Sequence, residues 1–259
     1  MKYIPVFLLA AALCCGCSSL LLNKRTISAA GMALHGATLT DAQVARMSRE
    51  FIAASDRESA MAADTSQYAA RLRALTDPFR SEDGLDLNFA VYVTPEINAF
   101  ACADGSIRVY SGLMDVMTDE ELAAIIGHEI GHVRHNDTKE AMKRAYYASA
   151  ATTAIGGASP TLEKLTSLEV DKLVTSFISA QFSQQQELAA DDYSFDFVVR
   201  HGYNPYAMAN ALEKIARIAG SDGEQAGRVA QWFSSHPDSG KRAERMKQKA
   251  FEHVAGIRR

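Results

Sequence analysis

Two histidines four residues apart, His128 and His132, enclose Glu129 in the run Ile125-Ile126-Gly127-His128-Glu129-Ile130-Gly131-His132-Val133. On an α-helix, positions i and i+4 differ by about 40° of rotation and about 6 Å of rise. Both imidazoles then leave one face, at a spacing that suits a single metal ion. Glu129 lies about 60° round the helix from His132, placed to reach a water at the metal and too far round to compete easily as a ligand. Two nitrogen ligands, a general base and an open coordination position are the parts of a zinc hydrolase site. The alternative, an idle polar triplet on a surface helix, fits the flanks poorly. Leu122, Ala123, Ile125, Ile126, Ile130 and Val133 are apolar, so the helix is expected to be buried and its polar residues to need partners. Gly127 and Gly131 each cost roughly 1 kcal/mol in a helix interior, which points to another backbone passing close by.

The elements that must position these residues are legible on both sides. Thr118-Asp119-Glu120-Glu121 forms a capping box and starts the helix, which is expected to run to about His135. Upstream, Leu85, Leu87, Phe89, Val91 and Val93 alternate with other residues and predict a strand that Thr94-Pro95 ends. Asn98–Cys102 reads as a second short strand, turned at Ala103-Asp104-Gly105, and Ile107–Tyr110 as a third. The remainder predicts helices over about 40–63, 68–75, 139–154, 161–179, 184–200 and 204–220, then a final basic helix capped by Asp238. Gly156–Pro160 reads as a connector or lid, and Trp232–Pro237 as a loop. The expected fold class is α+β: a helix-rich, gluzincin-like zincin with one small antiparallel sheet.

A chain of 259 residues with 47% hydrophobic content carries one sizeable core. Its net charge of −4 argues against nucleic acid as a partner, and no internal apolar run is long enough to predict a membrane span. The N-terminus has the form of a processing segment. Lys2 and the short apolar stretch Ile4–Leu13 precede Cys14-Cys15-Gly16-Cys17-Ser18. Three cysteines there resemble a bacterial lipobox, with Gly16 favouring Cys17 as the lipidated residue and Cys15 as the second choice. Ser18 in the next position resembles the sorting signal for the outer membrane. Residues 1–16 are thus expected to be a signal peptide, 17–40 a lipid-anchored tether and 41–259 the catalytic domain. Removing Lys2 takes the net charge from −4 to about −5. Cys102 is then the one cysteine left besides the lipidated residue, and is expected to be a buried apolar side chain.

Catalytic zinc commonly has three protein ligands. His135 lies on the same face as His128, but three ligands on one straight helix cannot surround a tetrahedral ion. Glu187, about 55 residues beyond His132, is the better candidate, with Asp191 one turn later to accept a hydrogen bond from the free ring nitrogen of a histidine ligand. On spacing alone the pair reads equally well as an acidic helix start.

A wider pattern decides between these. Asn98-Ala99-Phe100-Ala101, Gly105–Met114, His128–Val133, Gln181–Gln184, Glu187 with Ala190-Asp191-Asp192-Tyr193, Ser235-His236-Pro237 and Arg242 occur in order. Together they resemble the HtpX-type zinc metallopeptidase family, in its branch of periplasmic outer-membrane lipoproteins. The resemblance implies one Zn(2+) per chain held by His128, His132 and Glu187, with Glu129 as the base in peptide-bond hydrolysis. It implies that His236 lies near the metal, to stabilise an oxyanion or to fill the water position of a latent form, and that Arg242 is a structural partner of that loop. The strand Gly105, Ser106, Ile107, Arg108, Val109 is expected to be an edge on which an extended substrate lies. Unfolded or misfolded proteins are the implied substrates, with outer-membrane assembly machinery or other proteases as further partners. The implied location is the outer membrane, lipid-anchored and facing the periplasm. A role as chaperone or assembly factor with latent proteolysis is the alternative. Relatives often carry a histidine five residues after the second zinc histidine; this chain has Asp137 there, which puts a role for that position in doubt.

Overall fold

The computed structural model describes residues 24–154 and 182–257. The expected signal peptide, Cys17 and the segment read as connector and helix over 156–179 lie outside the described residues.

Helices dominate. Those of six residues or more among the described residues are, in chain order, α1 (Lys24–Thr38), α2 (Asp41–Glu58) and α3 (Gln67–Thr76), then, after the sheet, α4 (Ser111–Val116), α5 (Asp119–Arg134), α6 (Asp137–Ala154), α7 (Gln184–Arg200), α8 (Ala207–Ala219), α9 (Ala230–Ser235) and α10 (Ser239–Val254). The Thr118–Glu121 capping box is present at the start of α5, with both reciprocal hydrogen bonds. Nearly all of α5 is buried. Leu122, Ile125, Ile126 and Ile130 are fully buried, in one core cluster with Ile107 and Val109 of the sheet, Phe197 of α7 and Leu212 of α8. A helix apolar on most of its circumference has to lie at the centre of the core.

The sheet departs from expectation. β1 (Asn88–Tyr92) runs parallel to β3 (Ser106–Tyr110), while β2 (Ala99–Ala101) runs antiparallel to it, in the order β1-β3-β2. The sheet is therefore mixed, not antiparallel. Alternation sets which face each residue takes and carries no information on which strands are neighbours. The strand Gly105–Val109 is consequently not an edge. Its residues 106–110 pair with β1 and 107–109 with β2. The outer side of β1 is taken by residues 60–62, through Ala62 N–H to Val91 O and Val93 N–H to Ala60 O. Among the described residues no strand pairs with the outer side of β2, so β2 is the edge.

One face of the sheet packs on α5. Toward the other, Arg108 of β3 grips Asp56 of α2 with Nε and Nη2, at 2.8 and 2.9 Å, and the Tyr92 hydroxyl donates to the same carboxylate at 2.7 Å. Charge-assisted bidentate pairs of this kind hold orientation as well as position. Helix α2 is thereby fixed across the sheet.

Residues 24–38, within the segment expected to be a tether, form α1, which packs along α6 and buries Met32 beside Thr153; small and apolar residues at helical spacing give it a face to bury. Two further expectations are corrected. Trp232–Ser235 is helical rather than loop, because α9 buries Trp232 completely. Asp238 stands at the N-cap of α10 in a left-handed conformation (φ 59°), without a capping side-chain hydrogen bond.

Candidate metal centre

Four elements converge on one buried point. Helix α5 brings His128, Glu129 and His132, α7 brings Glu187 and Asp191, the end of α9 brings His236, and α10 brings Arg242. All are at most 3% exposed. The approach of α7 to α5 depends on the two glycines. A Cβ at Gly131 would lie 3.1 Å from both Ala190 Cα and Tyr193 Cβ, and one at Gly127 would lie 2.7 Å from the Phe197 ring. The backbone that the glycines anticipate is α7. Ser194 Oγ donates to Ala124 O at 2.6 Å and locks the crossing.

His128 Nε2 and His132 Nε2 face each other at 3.0 Å. Glu187 stands 3.6 Å from the first and 3.4 Å from the second. His236 Nδ1 completes the group, 3.3 Å from His128 Nε2 and 3.0 Å from Glu187 Oε1. A tetrahedral ion bonded at about 2.0–2.1 Å would separate its donors by about 3.4 Å. The observed spacings bracket that figure.

The hydrogen bonds behind these donors show that the group is built for a cation. His128 Nδ1 donates to Asp191 Oδ1 at 3.0 Å, and His132 Nδ1 to Asp137 Oδ2 at 2.7 Å. With each Nδ1 carrying the hydrogen, both Nε2 atoms present lone pairs to one another, an arrangement that needs a positive charge between them. Burial pushes His128 down to about 3, and the proximity of the other positive groups adds to this. His132 is also penalised by burial, but the hydrogen bonds its ring donates to Asp137 and Glu187 raise it to about 9. Burial alone would raise Glu187. The charge of His236 and hydrogen bonds from His132 and His236 bring it well below the ordinary carboxylate range. Asp191, likewise opposed by burial, is held at about 2 by Arg242.

Arg242 does more than support the His236 loop. It donates from Nη1 to Pro237 O at 3.4 Å, as expected of a loop partner. It also makes an ion pair with Glu187 and grips Asp191 through Nη2 at 2.6 Å and Nε at 2.8 Å. One guanidinium thus orients a metal-facing carboxylate and the carboxylate behind His128. Asp137, which the departure from relatives put in doubt, is the counterpart of Asp191 for His132. Its other oxygen accepts from Gln186 Nε2 at 2.9 Å, tying the start of α6 to α7. The signal for it was present: a carboxylate five residues after the second histidine, just past the helix end, falls back beside that ring. Phe182, stacked on His132 with ring centroids 4.0 Å apart, stood within the Gln181–Gln184 part of the wider pattern but was given no role there.

A cleft of about 280 Å³ leads from the surface to Glu129 and His236. Phe100 and Ala101 of β2 form one side, and Phe51 and Glu58 of α2 line it also. Glu129 Oε1 is buried with no hydrogen-bond partner among the described residues, 3.6 Å from His236 Nε2. Burial raises the Glu129 carboxyl, against the nearby charge of His236 and His132. An orphaned carboxylate oxygen is costly in a core and is expected where a reacting group has to be met.

Comparison with known proteins agrees with this geometry. Residues 82–250, which include the sheet and all of the metal-facing side chains, match Peptidase family M48. The chain is 36% identical over 233 residues to Metalloprotease LoiP of Escherichia coli, with 90% of each chain covered. It is 33% identical over 240 residues to Metalloprotease YcaL of the same organism, with 92% of each covered. It is 30% identical over 195 residues to a Protease HtpX homolog of Streptococcus pyogenes, with 59% of this chain and 64% of the relative covered. The buried His–His–Glu–His cluster, the helices that carry it and the extent of these matches place the chain in peptidase family M48, as a metallopeptidase built around a catalytic metal.

Proposed function

We propose that the protein is a zinc-dependent endopeptidase of the bacterial periplasm, anchored to the outer membrane through lipid on Cys17, and that it degrades misfolded or misassembled envelope proteins. The observation that carries the catalytic part is the pairing of the four-donor cluster with the unpartnered Glu129 oxygen at the floor of the cleft. His128, His132 and Glu187 hold the ion; two imidazoles and a carboxylate suit Zn(2+). When bound, the ion supplies a Lewis acid for the scissile carbonyl and for water. Glu129 takes a proton from the attacking water and returns it to the leaving amine. Asp191 and Asp137 keep the rings in the tautomer that leaves Nε2 free. The exposed side of β2, beside Glu129 in the cleft, receives an extended substrate backbone. The anchoring part rests on the residues up to Ser18. Labelling with a fatty acid, lost on Cys17→Ala and retained on Cys15→Ala, with membrane fractionation, tests it. Metal analysis of wild type and Glu129→Gln, together with cleavage of an unfolded protein, tests the catalysis.

A second reading has its own observation. His236 Nδ1 fills the fourth donor position, which favours a latent form over an oxyanion role. A latent peptidase that serves chiefly as a chaperone or assembly factor for outer-membrane proteins fits that arrangement. Complementation of an envelope defect by Glu129→Gln would favour it.

A further inference from the structure

The residues matched to the family begin at 82, yet the cleft is lined in part by α2, which ends at Glu58. Phe51, Ser55 and Glu58 face the cleft from this helix. The helix is held to the sheet by the Arg108–Asp56 pair, two residues before Glu58. Among the described lining residues the carboxylates are Glu58 and Glu129, and none is a lysine or arginine. Glu129 is committed to the reaction. Glu58 is exposed and makes no ion pair or hydrogen bond among the described residues. It is also the last residue of an 18-residue helix, where the helix dipole presents its negative end and favours a cation.

We infer that α2 is the specificity wall of the cleft and that Glu58 selects a lysine or arginine side chain in the substrate. This rests on the peptidase reading of the site. The bidentate clamp on Asp56 holds the helix end that carries Glu58 in place, so little backbone freedom is lost when a cation meets the carboxylate.

The test profiles a peptide library with wild type, Glu58→Gln and Glu58→Lys, each with its thermal unfolding checked. Wild type is expected to enrich Lys or Arg at one subsite. Glu58→Gln loses roughly 2- to 5-fold of that preference, the range for an exposed ion pair, and Glu58→Lys replaces it with Asp or Glu at the same subsite. The same peptides are then titrated against Glu129→Gln, with and without Glu58→Lys, by fluorescence polarisation, so that the preference is read without turnover. Cleavage with one unchanged subsite profile in wild type and Glu58→Lys overturns the inference and leaves the peptidase reading standing. Charge-selective binding without cleavage by wild type supports the inference and overturns the peptidase reading. Neither cleavage nor selective binding overturns both.

Discussion

His132 Nδ1 lies 2.7 Å from Asp137 Oδ2, and the two residues are separated by the end of the helix that carries the histidine. Asp137 opens the next helix, so the turn between α5 and α6 is also what fixes the ring. The same role for His128 is filled from a different helix, by Asp191 at 3.0 Å. Asp137→Asn should therefore weaken metal binding by about 10- to 100-fold, the usual cost of removing such a partner, while the helices stay folded. Competition with a chelator of known affinity measures this. Unchanged affinity would remove Asp137 from the site.

Glu129→Gln removes the proton acceptor and keeps the shape. The variant should hold one metal per chain and lose about 10²- to 10⁴-fold in kcat, the range for general acid–base catalysis. Metal stoichiometry and peptide turnover are read on the same sample. Full turnover with metal bound would exclude Glu129 as the base.

Gly127→Ala tests the helix crossing. Alanine gains about 1 kcal/mol in helix propensity, but its Cβ would meet the Phe197 ring at 2.7 Å. That ring is fully buried and packed edge-on against Phe79, so it cannot swing aside cheaply. Overpacking costs about 1–3 kcal/mol. The net effect should be a Tm lower by a few degrees, seen by circular dichroism. A rise in Tm would show that the interface can yield.

His236→Ala distinguishes the two roles of that residue. If His236 holds the site latent, the variant keeps its metal on three ligands and cleaves an unfolded substrate faster than wild type. Loss of turnover with metal retained would instead give His236 a part in the reaction itself.

The Asp56–Arg108 clamp should leave a pH signature. Burial raises the Asp56 carboxyl, but hydrogen bonds from Arg108 and Tyr92 and the charge of Arg108 outweigh it, so the group sits below its ordinary 3.8. A depressed carboxyl contributes stability that is present above the unfolded value and lost as pH falls through the folded one. The stability gap between wild type and Asp56→Asn, both metal-free, should hold from about pH 7 to 5 and shrink below about pH 4. Urea unfolding across that range measures it; a gap that persists undiminished at pH 3 would rule out the ionised clamp.

The sequence by itself determined the parts of the site that one helix can define. His128 and His132 share a face because of the helical repeat, the Thr118–Glu121 cap starts that helix, and an apolar circumference buries it. These follow from local geometry and from the cost of leaving apolar surface in water. Glu187 with Asp191 was legible only as an acidic pair until the wider pattern chose a role for it. Tertiary structure decided the rest. Period-two alternation could not say that β3 is central and β2 the edge, because pairing is settled by which surfaces are left to cover. Nor could local pattern place His236 Nδ1 among the metal-facing donors, Arg242 on two carboxylates at once, or α2 over the cleft. Each of those contacts joins residues about fifty or more positions apart, and only the packing of whole elements brings them together.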